Sequence, residues 1–238
     1  VEAQIVNIES RRSSLVDTSG WFGYLGLGAN FVRNNRSITT ISGDIRLEYL
    51  EGKSKILCLT NYNLIRSNQE KFIDNGFQHL RYNYHVNREL DYEIFTQAQF
   101  NNQIRIVLRG LLGTGVRWKL INKEKRNLNW GVSYMYEYDE IKIVEDEITI
   151  FRDHRMSTYL ALSLKPSDAN FSISSTTYYQ PVLKNFSDVR LSSQTALKIT
   201  MTSKLTFTST FAITNDTRVP EDVPATYYSF QNAVRWNF

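Results

Sequence analysis

The sequence predicts an all-β protein, an antiparallel up-and-down transmembrane β-barrel of about twelve strands with both termini periplasmic. Three observations lead there. Apolar and polar residues alternate along run after run, from residue 19 to the end. The 14 Tyr and 13 Phe, with only 4 Pro to interrupt them, suit strands better than helices. All four tryptophans fall on the apolar parity of their runs.

The runs follow in order. Residues 19–33 set Trp21, Leu25, Leu27 and Phe31 against Gly26 and Gly28. Residues 36–50 alternate Ile41, Ile45 and Leu47 with Asp44, Arg46 and Glu48. In 54–65, Ile56, Cys58 and Tyr62 share a parity. In 76–87, Leu80, Tyr82, Tyr84 and Val86 oppose His79, Arg81 and Asn83, and in 90–102 the polar row is Glu93, Gln97 and Gln99. Residues 105–121 pair Leu108, Leu112 and Val116 with Arg109, Gly113, Gly115, Arg117 and Lys119. Residues 127–140 pair Val132, Tyr134 and Tyr136 with Gly131, Glu137 and Asp139. Leu160, Leu162 and Leu164 mark 148–165, and 169–181 holds the hydroxyl-rich STTYY stretch. Residues 187–202 oppose Leu197, Ile199 and Met201 to Arg190, Ser192, Gln194 and Lys198. Leu205, Phe207, Phe211 and Ile213 carry 204–215. The run 224–238 closes on NAVRWNF, where Val234, Trp236 and Phe238 alternate with Ala233, Arg235 and Asn237 to the last residue.

The connections alternate in kind. EGKS, NRE, NKEKR, KPSD and TSK are short and polar, as periplasmic turns are. IRSNQEKFIDN, IKIVEDE, VLKNFSD and NDTRVPEDVP are longer, as extracellular loops are, although those near Asn34 and Asn102 are short.

Periodicity alone leaves open which face points inward. The glycines at 26, 28, 113, 115 and 131 share the polar parity, where a crowded lumen needs room for large neighbours. Under the meander topology Trp21, Trp118, Trp130 and Trp236 all fall at the periplasmic end, joined by Tyr49, Tyr84 and Tyr92. Tyr62, Phe100, Tyr136, Tyr138, Tyr179 and Tyr228 gather at the other end. Two aromatic bands flanking aliphatic residues match two membrane–water interfaces, because indole and phenol rings keep one polar edge wet. The apolar face therefore meets lipid. Phe238 ends the last strand at the inner interface, a terminus similar to the signal read by the outer-membrane insertion machinery.

Other classes are excluded by composition. The net charge is +4, but its bases are interspersed with acids, so no nucleic-acid surface is expected. Cys58 stands alone, so no internal disulfide forms, and its parity makes it a small apolar or lipid-facing residue. No run of 18 apolar residues offers a transmembrane helix. Val1-Glu2-Ala3 looks like the remnant of a cleavage site, so the chain reads as a mature secreted form. Residues 1–18 are expected as a periplasmic or plug segment and 19–238 as the barrel.

QIVNIESRR (4–12), TSGWFGYLGLG (18–28), GFQHLRYNY (76–84), LRGLLGTGVR (108–117), YMYEYDE (134–140), FRDHRMSTYL (151–160) and STTYYQPVL (175–183) together resemble the salt-induced outer-membrane barrel family of Gram-negative bacteria. The resemblance covers nearly the whole chain. It implies fold and location, and it carries no agreed activity and no site.

The lumen parity carries the candidate functional residues: a network of Asp44, Arg46, Glu48, His79, Arg81, Glu93, Arg109, Arg117, Lys119, Glu137, Asp139, Arg190, Lys198 and Arg235. Mixed signs suggest cross-lumen ion pairs, since paired charges cost much less to bury. The expectation is a narrow pore for small solutes, or a structural or partner subunit of an envelope assembly. Outer-membrane lipid, the insertion machinery and an envelope protein are the expected partners. No metal or cofactor is expected, because His79 and His85 lie about 20 Å apart on one strand at ~3.3 Å per residue. GLLGTG at 110–115 lacks the Lys-Ser or Lys-Thr and the helix of a phosphate loop. No catalytic residue is expected. The alternative is a lipid hydrolase or deacylase at the extracellular rim, using His154 beside Ser175 or Thr177, with Asp153 and Arg155 pointing inward in the simpler reading.

Overall fold

The computed structural model describes Ile8 and residues 19–68, 70–144, 147–166 and 170–236. The rest of the N-terminal segment, and Phe238, lie outside the described residues. Twelve antiparallel strands follow one another in chain order: β1 (Gly20–Arg33), β2 (Ser37–Glu51), β3 (Ser54–Ser67), β4 (Glu70–His85), β5 (Leu90–Asn101), β6 (Ile106–Lys123), β7 (Arg126–Val144), β8 (Glu147–Leu164), β9 (Phe171–Val182), β10 (Asn185–Thr200), β11 (Leu205–Asp216) and β12 (Thr226–Trp236). Each pairs with the next, giving one sheet ordered β1 to β12. Among the described residues no ladder joins β1 to β12, which form the two edges.

The sheet is curled, as bonds between inner side chains of strands that are not neighbours show. Arg190 on β10 reaches Glu137 and Asp139 on β7. Arg105, at the start of β6, is bonded to Asp222 in the connection between β11 and β12. With twelve strands, β1 begins and β12 ends on the same rim, here called the lower rim.

The connections at the upper rim differ from the expectation of long loops. Asn68 and residue 69 join β3 to β4, residues 145–146 join β7 to β8, and Leu183-Lys184 join β9 to β10. The residues expected in loops continue the strands instead. Ile73, Ile141 and Ile143 are β-branched strand formers, and two-residue hairpins are the favoured way to link antiparallel strands. Asn68 takes a left-handed φ of 53°, which Asn tolerates better than most residues in such a turn. Between β5 and β6 a short 3₁₀ turn at Asn102–Ile104 is followed by Arg105 at φ 58°. At this rim only the β11–β12 connection, 217–225, is long.

Every expected interface aromatic with a described side chain is on the outer face. Trp21 is 65% exposed and packs on Tyr49 with ring centroids 4.9 Å apart. Trp118 and Trp130 are register partners stacked at 5.1 Å. Trp236, the last residue of β12, lies opposite Leu205 at the lower rim. The four indoles thus share the lower half of the wall. Tyr136, Tyr138, Tyr179 and Tyr228 occupy the upper half, with Tyr228 73% exposed. Leu25, Leu27 and Leu80 lie exposed between the two bands. An exposed apolar surface of this extent needs a nonaqueous partner.

Candidate functional site

The inner face of β3 to β10 is packed with charged and polar side chains. Its densest part lies toward the upper rim. Arg109 grips Asp139 with two bonds, Nε to Oδ1 at 2.5 Å and Nη2 to Oδ2 at 2.8 Å. Arg190 donates through Nη2 to Asp139 at 2.9 Å, through Nε to Asp216 at 2.8 Å, and through Nη1 to Glu137. Arg155 donates to Glu137 and Asp188, each at 2.9 Å, and to the Gln180 carbonyl at 3.0 Å. These three arginines are at most 1% exposed, and their planar forks place two or three donors each on fixed carboxylates. Arg218, in the 217–225 connection, closes the top by bonding Asp153 at 2.5 Å and Asp188. Burial draws the pKa of Arg218 down, but its hydrogen bond to Asp153 and the charge of Asp188 outweigh that and hold it above its ordinary value.

A second cluster sits at mid-height. Arg81 Nε donates to His79 Nε2 at 3.2 Å, so His79 Nδ1 must donate to Gln97 Oε1 at 3.0 Å. Arg81 also bonds Glu93 at 3.1 Å and lies over the Phe95 ring. Near the lower rim, Asp91 gathers Arg117 at 3.1 Å, Lys119 at 3.0 Å and His85. Glu48 pairs with Arg46 at 2.8 Å and Lys55 at 3.2 Å, and Asn61 donates to Asp44.

Aromatic and aliphatic side chains fill the spaces between these pairs. The Phe95 ring occupies the place that a Cβ on Gly113 would take, and the Tyr159 ring does the same at Gly131. Ile8 is buried against Leu57, Leu59 and Phe77. What remains between Ile8 and the inner face of β4 to β10 is a cavity of about 40 Å³, room for a few waters at most. At the upper rim, Val223 of the 217–225 connection packs on Ile104, Ile106 and Ile141, with Val219, Ile143 and Phe151 around them.

A family model described as a protein of unknown function, DUF481, matches residues 25–235. The chain belongs to the DUF481 family. The fold is similar to that of the NanC porin, at a TM-score of 0.51 and 11% identity over 90% of this chain and 99% of that one. It is also similar to a bacterial polysaccharide outer membrane secretin, at a TM-score of 0.48 and 8% identity over 85% of this chain and 86% of that one. No curated protein sequence matches the chain. The NanC likeness is one of fold, that of a porin-like β-barrel.

In this DUF481 member the expected network divides into groups. Arg109, Glu137, Asp139 and Arg190 form one. His79, Arg81 and Glu93 form a second, Arg117 and Lys119 join Asp91 in a third, and Arg46, Glu48 and Asp44 line β2. Lys198 and Arg235 do not join them. Both sit exposed on the inner face near the lower rim, opposite Thr208 and Thr206.

Asp188, Asp216 and Arg218 were missing from the expected set. Arg218 stands in a connection, where no period assigns a face; Asp188 lies near the start of β10 beside a register shift, and Asp216 ends its strand. The apolar inner residues Leu57, Leu59, Phe77, Phe95 and Met135 were missing too, because they interrupt an otherwise polar row.

The expected placement of Ser175 or Thr177 beside His154 is overturned. Thr177 is the register partner of Leu160, six residues along β8 from His154, and Ser175 is opposite Leu162. The two hydroxyls bond Ser193 and Thr195 instead. His154 lies outside the wall, its Nδ1 against the Tyr134 hydroxyl and its ring 5.4 Å from that of Tyr136. Among the described residues no group of three His, Cys, Asp or Glu side chains is placed to hold a metal.

Proposed function

We propose that the protein is a narrow pore of the bacterial outer membrane, passing small solutes through a lumen constricted by paired charges. The observation that carries this reading is the inner wall of β3 to β10. Its buried arginines are all held by carboxylates, several of them shared, and a cavity of about 40 Å³ lies beside them. A barrel of about twelve strands is wider than one that side chains fill completely and narrower than an open channel, so such a network sets the bore. The likeness to the NanC porin supports a passage over a purely structural role. In this reading the lower rim is periplasmic and the apolar wall meets lipid. The sequence resemblance to salt-induced outer-membrane barrels supports the same location.

Single-channel recording in planar bilayers tests the reading. The folded protein gives small, steady conductance steps, far below those of wide porins. Silence over repeated insertions of folded protein overturns it.

A further inference from the structure

Charge is not spread evenly along the lumen. In the upper half Arg109, Arg155, Arg190 and Arg218 meet five carboxylates, so the acids there exceed the bases by one. The lower half is the reverse. Arg117 and Lys119 both bond Asp91, and Arg46 and Lys55 both bond Glu48. Each of these carboxylates is held by two cations, which leaves positive charge at each group.

Lys198 and Arg235 add to it. Lys198 stands near the lower end of β10 and Arg235 next to the end of β12, and both are exposed on the inner face. Lys198 lies between Ser172 and Thr208, Arg235 lies opposite Thr206, and among the described residues neither has an ionic partner. Six bases therefore stand against two acids in the lower half, or three with Asp44 at mid-height. Residues 1–18 carry three acids and two bases, so as a whole they take one unit from this excess. The lower turns restore it, since EGKS, NRE, NKEKR, KPSD and TSK hold seven bases and four acids.

We infer that the lower half of the lumen is an anion-collecting vestibule, and that the pore favours small organic anions carrying a carboxylate or a phosphate. The inference rests on the pore reading above. An excess of one sign between low-dielectric walls focuses the field and raises the local concentration of the opposite ion. The guanidinium forks of Arg46, Arg117 and Arg235 match the oxygens of carboxylate and phosphate. In the upper half the five carboxylates are each bonded to an arginine, so the sign of a solute is read at entry from below.

Reversal potentials of the full chain in planar bilayers test this, at about 0.1 M salt, where fixed charges act over ~10 Å. Under a potassium chloride gradient, chloride is expected to pass severalfold more readily than potassium. Replacing chloride on one side by lactate, and separately by phosphate, reads the two oxyanion groups, and at least one is expected to outpace potassium. The double variant Lys198→Glu, Arg235→Glu is expected to lower the anion preference severalfold, with folding checked by heat-shifted mobility in gels. Potassium preferred over chloride, or no preference in the parent, overturns the vestibule and leaves the pore standing. So does a preference unchanged in the folded double variant. Exclusion of both lactate and phosphate overturns the solute class. Absence of any conductance overturns the pore reading and this inference with it.

Discussion

Gly113 and Gly131 show how single residues shape the lumen. Each sits where a neighbouring ring, Phe95 or Tyr159, occupies the space a side chain would need. Strand glycines normally weaken a sheet, so a close approach of this kind is what gives them a role. Gly113→Val forces Phe95 off its rotamer or bends β6, and is expected to cost about 1–3 kcal/mol of stability, the usual range for overpacking. Gly110, three positions away on the outer face, has open space where a Cβ would stand, so Gly110→Val is a matched control of little effect. Urea unfolding in lipid vesicles reads both. Equal stability of the two variants would remove the packing role of Gly113. The residue scale also explains His79. Accepting from Arg81 and donating to Gln97, it bridges two polar side chains and has no free nitrogen for a metal.

At the scale of elements, the upper rim is built from strand extensions and one long connection. The connection 217–225 turns inward. Val223 lodges among Ile104, Ile106 and Ile141, Arg218 lies 4.3 Å over the Phe151 ring, and Arg105 holds Asp222. Apolar and ionic contacts therefore act together along the same connection. Val223→Asp places a charge in that apolar nest, where an unpaired carboxylate is expensive. The expected outcome is release of the connection and trypsin cleavage after Arg218 in a barrel that is otherwise intact. The parent is expected to resist cleavage there. Resistance of the Val223→Asp variant equal to the parent would show that the apolar contact does not hold the connection.

At the scale of the whole molecule, two asymmetries coexist. The outer wall is apolar between aromatic bands, and the inner wall carries its buried arginine–carboxylate groups mainly on β6–β11. The edges β1 and β12 lie away from those groups. Backbone N–H and C=O groups left unpaired in hydrocarbon cost several kcal/mol each, so strand edges close on one another in a bilayer. Amide hydrogen exchange of the protein in vesicles is expected to show β1 and β12 as slow as β6 and β7. Fast exchange confined to β1 and β12 would mean that the barrel stays open along that line, with its lumen continuous with lipid.

Much of this was legible in the chain itself. A period of two places every other side chain on one face, so Leu25, Leu80 and Leu160 could be assigned to one wall and Arg81, Arg109 and Glu137 to the other before any pairing was known. The depth of the four tryptophans followed from the alternating direction of successive strands. The glycines betrayed crowded neighbours by their parity. Which charges meet was not legible. Arg190 finds Glu137, 53 positions away, because curvature brings β10 over β7, and curvature is a property of the curled sheet as a whole, not of any local run. Arg218 was hidden because connections carry no period, and the upper loops were overestimated because β-branched residues there extend strands instead. Local alternation determined the faces; the tertiary structure decided the partners, since partners across a lumen are set by how far the whole wall has turned.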